Sequence, residues 1–176
     1  LLGKGKIVAK YLGGTTEAID FVDHYRGENE SFDYTWEERW IRDESYLKIV
    51  PSAVKRALQY SNVEAKQVKR FCFPSSMGRV AGMLAKNLGF GEETVEDNLQ
   101  GVCGEVGCAH SLVMLVRALE ESAPGDIIVV AGFGQGCDAL VFEVTSEKQA
   151  TEGKLGVSGY LKRRREENNY QRFLAF

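Results

Sequence analysis

The length, composition and charge of this chain fit one globular domain of 176 residues, 44% of them hydrophobic and 27% charged, with a net charge of −3. Such a composition supports a folded core rather than disorder, and the negative charge disfavours nucleic acid as a partner. No apolar run approaches the about 20 residues of a membrane-spanning helix and no signal peptide is recognisable, so we expect a cytoplasmic protein with no membrane partner.

The first third of the chain predicts a short strand followed by helix. Residues 7–11 are apolar and β-branched and end at a glycine pair, which is typical of a strand entering a turn. Thr35 and Glu38 have the spacing of a capping box, so a helix is expected to start there. Apolar residues at helical spacing then predict two helical pieces between about 36 and 61, with Pro51 interrupting or restarting the helix.

The middle of the chain predicts a strand and two further helices. Residues 68–73 are rich in strand-forming side chains and stop at Pro74. A helix is expected from near Met77, with Gly89 as its left-handed C-terminal residue. Residues 106–119 are apolar nearly all round, which predicts a helix buried on nearly all sides. The apolar side chains expected in that core are Leu112, Val113, Leu115, Val116 and Leu119.

The last part of the chain predicts two strands and a C-terminal helix. A buried strand at 127–131 is followed by the glycine-rich connection 132–136 and by a second strand at 137–145. The order of elements predicts an α/β fold with a mixed β-sheet and helices on both faces. Residues 146–156 are a polar connector, and 157–176 are expected to form a last helix.

A basic run in this last segment, residues 162–165, has two interpretations. Four consecutive cations could contact nucleic acid, but Glu166 and Glu167 follow directly and the whole chain is acidic. A solvated helix face is therefore the preferred interpretation.

The cysteines predict neither a metal site nor disulfides. No two of them form a C-x-x-C pair, and only two imidazoles are present, which does not fit the ligand spacing of zinc sites. We expect four reduced thiols in or near the core. The residues concerned are Cys72, Cys103, Cys108 and Cys137, with His24 and His110 as the imidazoles.

The succession of elements over residues 63–144 resembles the C-terminal half of thiolase-superfamily condensing enzymes, namely 3-oxoacyl-ACP synthase III and hydroxymethylglutaryl-CoA synthase. It runs from a strand ending at Pro74, through a helix ending in residues 85–89 and a glycine turn at Gly104, to the glycine loop at 132–136. Upstream, residues 21–26 and 32–40 resemble hydroxymethylglutaryl-CoA synthase-like proteins in particular.

The thiolase fold contains two similar repeats, and the spacing between the last two strands indicates which of them this chain resembles. A long excursion is expected between the last two strands of the first repeat, whereas only residues 132–136 separate them here. We therefore expect a thiolase-like half domain over 1–145, the C-terminal one, with a connector and helical extension over 146–176. We expect the half that carries the nucleophilic cysteine to lie outside this sequence.

The resemblance implies an acyltransferase that joins an acyl-CoA to a second acyl thioester by Claisen or aldol-type chemistry. It implies no permanently bound cofactor, with a coenzyme A thioester as substrate. The implied partners are the missing N-terminal thiolase half, a second copy of the chain and an OB-fold zinc-ribbon protein. The alternative is a non-catalytic thiolase-fold subunit that binds acyl-CoA or a partner.

The resemblance also nominates site residues. Ser75 and Glu105 occupy positions where many members carry a histidine and an asparagine or histidine. Serine has no titration near pH 7 and cannot replace an imidazole in proton transfer. Glu105 is either an active-site acid or base or a helix-start residue that binds backbone N–H groups. His110 either faces the site or is a satisfied helix histidine.

Three further features have open interpretations. Gly132, Gly134 and Gly136 either allow a ligand to approach the backbone or simply form a tight hairpin. Cys108, at a helix start, has the setting of a nucleophile, but the second-repeat assignment favours a core thiol. His24, in a predicted loop, is expected to be exposed or salt-linked rather than catalytic.

Overall fold

The computed structural model describes residues 3–147 and 153–175. Its strands and helices in chain order are β1 (Ala9–Val22), β2 (His24–Tyr25), β3 (Tyr34–Thr35), α1 (Glu38–Trp40), α2 (Leu47–Tyr60), β4 (Val68–Cys72), α3 (Val80–Leu88), α4 (Gln100–Cys103), α5 (His110–Glu121), β5 (Ile127–Val144), α6 (Gly156–Lys162) and α7 (Tyr170–Leu174). A π-helical turn, Ile41–Tyr46, joins α1 to α2, and 3₁₀ turns lie at Ala65–Gln67, Glu92–Thr94 and Gly107–Ala109.

The main sheet is mixed, with the order β1-β5-β4. β1 runs antiparallel to β5, from Ala9 opposite Val144 to Val22 opposite Gln135. β4 runs parallel to the first residues of β5, with Phe71 opposite Val129. The predicted α/β class with a mixed sheet is confirmed.

The β5 segment is extended along its length but folds back on itself. The amide of Gly125 donates to the carbonyl of Val144 at 2.8 Å, and the amide of Val144 donates to the carbonyl of Asp126 at 3.0 Å. An extended segment of 18 residues would hold its ends about 60 Å apart, so these bonds require a hairpin. Its turn lies in the glycine loop 132–136, as predicted.

Helices cover both faces of the sheet, and successive buried side chains of its strands point alternately into the two cores between sheet and helices. One cluster joins α2 and α3 to Phe71 and Val129, and the other joins α5 to Cys72 and Ile128. Successive residues of a strand point to opposite faces, so each of these strands contributes to both cores. Burying one such apolar side chain contributes about 1.5–3 kcal/mol.

The strand predicted at 7–11 continues far beyond the expected turn. Gly13 marks an irregularity in the register rather than a turn, and Gly14 lies so close to β5 that a Cβ would be 2.7 Å from the carbonyl oxygen of Ala139. Gly14 therefore serves the close approach of β1 to β5, and Gly13 lies against Ser61 at the end of α2. The prediction that residues 15–34 are loop is wrong for 15–22, which complete β1, and for the short strands β2 and β3, whose residues 24–25 and 34 also fall in this range.

The helix after β3 begins and continues differently from the prediction. Glu37, not Thr35, is its N-cap, and its carboxylate accepts from the amides of Arg39 and Trp40. Pro51 lies inside α2 without separating two pieces. The irregularity instead lies just upstream, in the π-helical turn, a rare feature that widens one turn of a helix.

The strand β4 and the end of α3 agree with the prediction, but the start of α3 does not. β4 ends two residues before Pro74, and Gly89 ends α3 with a φ of +75°. α3 begins at Val80 rather than near Met77, because residues 74–79 form a connecting segment that ends at Arg79 in the left-handed region.

The helix α5 is less buried than its sequence predicts. It begins at His110, and only His110, Met114 and Ala118 on it are buried. Leu112 and Val116 are 53% and 41% exposed. The prediction of burial on nearly all sides is therefore wrong for this chain by itself, since one apolar face of α5 is open. We call Leu112 and Val116 the open face of α5.

The C-terminal segment forms two short helices where one was predicted. α6 packs beside α5, because the hydroxyl of Ser158 donates to Glu120 at 2.6 Å and accepts from Arg117. α7 is exposed, as is the basic run 162–165. Part of the predicted connector 146–156 lies outside the described residues. Among the helices within the described ranges, none has the length and hydropathy to cross a membrane.

Candidate functional site

Ser75 lies in the segment that leaves the carboxyl end of β4. Its side chain is buried, and its hydroxyl oxygen accepts from the amide of Met77 at 3.1 Å. Its carbonyl oxygen accepts from the side-chain amide of Asn98 at 2.9 Å. The hydroxyl thus orders the local turn, and the backbone ties this segment to the loop before α4.

Asn98 is the centre of a polar network that the sequence did not predict. Its side-chain oxygen accepts from the amide of Gln100 at 3.1 Å, and its backbone carbonyl lies 2.5 Å from Nε2 of His110. The next residue, Leu99, has a φ of +61°. A bulky residue in this region is strained, and such strain concentrates at functional sites.

His110 is fully buried with both ring nitrogens engaged. A carbonyl only accepts, so Nε2 carries a proton and donates to Asn98. Nδ1 lies 3.3 Å from the amide of Val106 and 3.3 Å from a carboxylate oxygen of Glu105. With no exposed surface, this imidazole can support the site but cannot meet a substrate directly.

Glu105 is the exposed member of the network. Its side chain is 55% exposed. One oxygen accepts from the amide of Gly107 at 3.0 Å, and the other accepts from the side-chain amide of Gln100 at 2.7 Å. The Glu105 carboxylate therefore accepts from a backbone N–H group at the helix start, as one of the two interpretations expects. It also remains accessible to a ligand.

The structure brings Ser75, Glu105 and His110 into one hydrogen-bonded group through Asn98 and Gln100. Asn98 lies in the loop before α4 and Gln100 is the first residue of α4, and the sequence did not predict the conformation of this segment. The signal that could have indicated them is the density of turn-forming polar side chains at 97–100, where Asp97 also binds the amide of Leu99 at 2.9 Å.

The three glycines of the loop 132–136 have different surroundings. A Cβ on Gly132 would lie 3.5 Å from Oγ of Ser111, so this residue packs on the start of α5. Gly136 has a φ of +106°, and a Cβ there would clash with the carbonyl oxygen of Glu17. Gly134 has open space around it. Gly136 is therefore required by the packing of β1, and Gly134 is the one with room for a ligand.

A second polar group lies beside the glycine loop and was also missed. The hydroxyl of Tyr46 donates to Asp23 at 2.6 Å, and the Tyr46 ring packs edge-on against Phe73 and Phe133, with centroids 5.2 and 5.1 Å away. Burial raises the pKa of Tyr46 far above its ordinary value, and the negative charges of Asp23 and Glu105 add to this. Tyr46 is thus a neutral hydrogen-bond donor between β4 and the loop.

The cysteines divide into two buried and two exposed residues. Cys72 and Cys137 are buried, which raises the pKa of both thiols, that of Cys137 to about 12. Cys103 and Cys108 are exposed, so the expectation of four thiols in or near the core is wrong for these two. Within the part of the chain that the structure describes, no cluster of three His, Cys, Asp or Glu side chains could hold a metal ion.

Comparison with known proteins shows which families this chain resembles. The profile of the 3-oxoacyl-[acyl-carrier-protein (ACP)] synthase III C terminal family matches residues 58–144. The hydroxymethylglutaryl-CoA synthase of Thermoplasma volcanium is 26% identical over 148 residues, which are 82% of this chain and 41% of that protein. The corresponding enzyme of Methanopyrus kandleri is 26% identical over 159 residues, covering 88% and 45%.

Solved structures share the fold. The 3-oxoacyl-[acyl-carrier-protein] synthase III of Aquifex aeolicus superposes with a TM-score of 0.67 at 17% identity, over 80% of this chain and 46% of that one. A variant of OleA from Xanthomonas campestris superposes with a TM-score of 0.60 at 20% identity, over 78% and 39%. This chain spans less than half the length of these relatives. These matches support a C-terminal region of the thiolase-superfamily type over residues 58–144, similar to that of 3-oxoacyl-ACP synthase III and of hydroxymethylglutaryl-CoA synthases.

Proposed function

We propose that this chain is the C-terminal half of an acyl-CoA condensing enzyme that forms a carbon–carbon bond between two acyl thioesters by Claisen or aldol-type chemistry. Its substrate would be a coenzyme A thioester, with no permanently bound cofactor. The curated relatives named hydroxymethylglutaryl-CoA synthase, which match over most of this chain, support this reaction class.

The observation that carries the proposal is the network at the start of α5. The accessible carboxylate of Glu105 is held by Gln100, which is tied through Asn98 to Ser75 and His110. A carboxylate fixed by hydrogen bonds and open on one side can orient or exchange protons with a thioester. Gly134, at the loop beside α5, provides open backbone where an acyl group could lie.

The nucleophile would come from the other half. The chain covers only 41% to 45% of the length of the relatives, and the open face of α5 is an apolar surface next to the site. We propose that a cysteine-bearing thiolase half packs on this face, so that both halves line one site. Exposed apolar patches on otherwise soluble proteins mark such interaction surfaces.

A non-catalytic subunit is the second candidate, and one observation favours it. The Ser75 hydroxyl is engaged by the amide of Met77, and His110 is buried with both nitrogens engaged, so neither of these site residues offers a free proton-transfer group. Such a subunit would bind coenzyme A thioesters or the partner half without turnover.

The test combines the chain with a cysteine-bearing half, either in the full polypeptide or by co-expression. Incubation with acetyl-CoA should give an acyl adduct on that half by intact-mass spectrometry, with release of free coenzyme A. A second acyl thioester should then give a condensed product. The chain by itself should form no adduct.

Variants separate the two candidates. Glu105→Gln should lower the condensation rate about 10²-fold or more, whereas Glu92→Gln, at an exposed position, should leave it unchanged. Binding of coenzyme A without any adduct or product in the combined protein would favour the non-catalytic subunit. A stoichiometric adduct on the isolated chain that disappears in Cys108→Ala would contradict the two-half site.

A further inference from the structure

His24 is held in a defined orientation by a buried carboxylate. Its Nδ1 lies 2.7 Å from Oδ1 of Asp23, and its backbone amide donates to the same oxygen at 2.9 Å. An ionised carboxylate only accepts hydrogen bonds, so the neutral imidazole carries its proton on Nδ1. The lone pair is then on Nε2, which has no hydrogen bond among the described residues.

The carboxylate itself is fixed from the other side. Asp23 is buried, and its second oxygen accepts from the hydroxyl of Tyr46 at 2.6 Å. Its backbone carbonyl accepts from the amide of Trp36 at 3.3 Å and from the hydroxyl of Thr35 at 3.2 Å. A buried carboxylate with both oxygens engaged cannot swing away, so it holds the ring of His24 in one orientation.

The position of this pair is next to the candidate site. Val22, the last residue of β1, is paired with Gln135 at the tip of the glycine loop, and Asp23 and His24 follow directly. Tyr46 contacts Phe73 at the end of β4 and Phe133 in the loop. The negative charge of Glu105 contributes to the raised pKa of Tyr46. The pair therefore lies at the edge of the site, connected to it by Tyr46.

His24 is also the imidazole that can reach a substrate. The chain has two histidines, and the other, His110, is fully buried with both nitrogens engaged. The side chain of His24 is 53% exposed. A half-exposed imidazole with a carboxylate on Nδ1 and a free Nε2 is well placed for proton transfer, since the partner on Nδ1 sets the tautomer and Nε2 can reach a ligand.

We propose that His24 is the proton-transfer residue of this site, with Asp23 as the positioning residue that holds its ring; this rests on the proposed function. In an aldol-type addition, Nε2 takes a proton from the α carbon of one acyl thioester. The C–H electron pair forms the new C–C bond to a carbonyl carbon of the second substrate. The carbonyl π pair moves to its oxygen, which receives the proton back from the imidazolium.

The experiment uses the chain combined with its cysteine-bearing half. In His24→Gln, acyl-adduct formation should stay within about threefold of wild type, while the kcat of condensation falls about 10²- to 10⁴-fold with little change in KM. Added imidazole should restore part of the kcat of His24→Ala. Glu28→Gln, at an exposed position in the same region, should behave as wild type.

A spectroscopic measurement tests the positioning role of Asp23. In protein labelled with ¹⁵N-histidine, the neutral ring of His24 should show the Nδ1–H form, and Asp23→Asn should lose this preference and lower kcat by about 10²-fold, the lower end of general acid–base contributions. An Nε2–H ring in wild type would overturn the proposal, as would a kcat in His24→Gln within about threefold of wild type.

These failures differ from a failure of the proposed function. If the combined wild-type protein forms neither adduct nor product, the condensing activity is wrong and the role of His24 in it falls as well. If wild type is active and His24→Gln is equally active, only the assignment of His24 is wrong.

Discussion

The Asp23 carboxylate is the most constrained ionisable side chain at the edge of the candidate site. Its two oxygens accept from His24 and Tyr46, and the residue is buried at the point where β1 ends. Removing one donor would leave a buried charge with less compensation, which costs more than the lost hydrogen bond itself. The pair thus matters for stability as well as for orientation.

We predict that Tyr46→Phe lowers the free energy of unfolding by about 1–3 kcal/mol, because a charged acceptor loses a buried donor without any change in ring packing. Urea unfolding measures the change. Tyr60→Phe is the matched control, since Tyr60 is exposed, and it should change the free energy by less than about 0.5 kcal/mol. A loss in Tyr46→Phe as small as that of the control would contradict the importance of this hydrogen bond.

The thiols should fall into two reactivity classes. Cys103 and Cys108 are exposed, whereas burial raises the pKa of Cys72 and Cys137 and keeps them as neutral thiols. Since the thiolate is the reactive form, Ellman's reagent at pH 8 should modify two thiols quickly and the other two only on unfolding. Rapid reaction of all four thiols in the folded chain would contradict the buried placement.

The raised pKa of Cys137 also makes the free energy of unfolding depend on pH. Above the ordinary thiol pKa the unfolded chain loses this proton, whereas the folded chain keeps it up to about pH 12. The contribution of the Cys137 thiol to the free energy of unfolding is therefore fully present below the ordinary thiol pKa. It is lost as the pH rises from that value through about 12.

At the scale of elements, local signals predicted some boundaries and failed at others. The end of β4 before Pro74 and the end of α3 at Gly89 depend on the backbone preferences of single residues, so the sequence predicted both correctly. Gly13 and Gly14 were predicted as a turn, but both lie inside β1 opposite Val141 and Leu140, and the close approach at Gly14 is to this distant partner strand. The π-helical turn has no sequence signal of this kind.

The candidate site also contains residues that the sequence predicted and residues that it did not. Ser75, Glu105 and His110 were predicted from their places in the succession of elements, but the network that joins them passes through Asn98 and Gln100. These residues act through a loop in which Leu99 is in the left-handed region. Because a leucine does not favour that conformation, no local preference could predict the loop.

The two sides of α5 should respond differently to truncation. Met114 is fully buried between α5 and the sheet, whereas Leu112 is 53% exposed. Met114→Ala should therefore cost about 2–5 kcal/mol in the isolated chain, and Leu112→Ala less than about 0.5 kcal/mol. Chemical denaturation of both variants checks this, and equal losses would mean that the open face is packed after all.

At the scale of the whole molecule, the isolated chain is expected to associate with itself. The open face of α5 would be covered by the cysteine-bearing half in the proposed assembly, and without that half it offers an apolar surface to a second copy. Sedimentation velocity at tens of micromolar should detect a dimer or larger species, and adding the other half should replace it by a complex of the two.

The same measurement distinguishes this face from other apolar positions. Leu112→Glu combined with Val116→Glu should give a monomer that no longer binds the other half. Met83→Glu, at an exposed position of α3 on the opposite face of the sheet, should associate as wild type does. A clean monomer in the wild-type chain would contradict self-association.

The pairing of β1 with the end of β5 has a consequence for the order of events during synthesis. Thr16 and Asp138, which are hydrogen-bonded at 2.6 Å, are separated by 122 residues, so β1 leaves the ribosome long before the strand it pairs with. Contacts between residues so far apart in sequence raise the contact order of the fold, and a higher contact order slows folding. The sheet can close only after the glycine hairpin has emerged, and until then the nascent chain carries an unpaired strand edge that chaperones would have to protect.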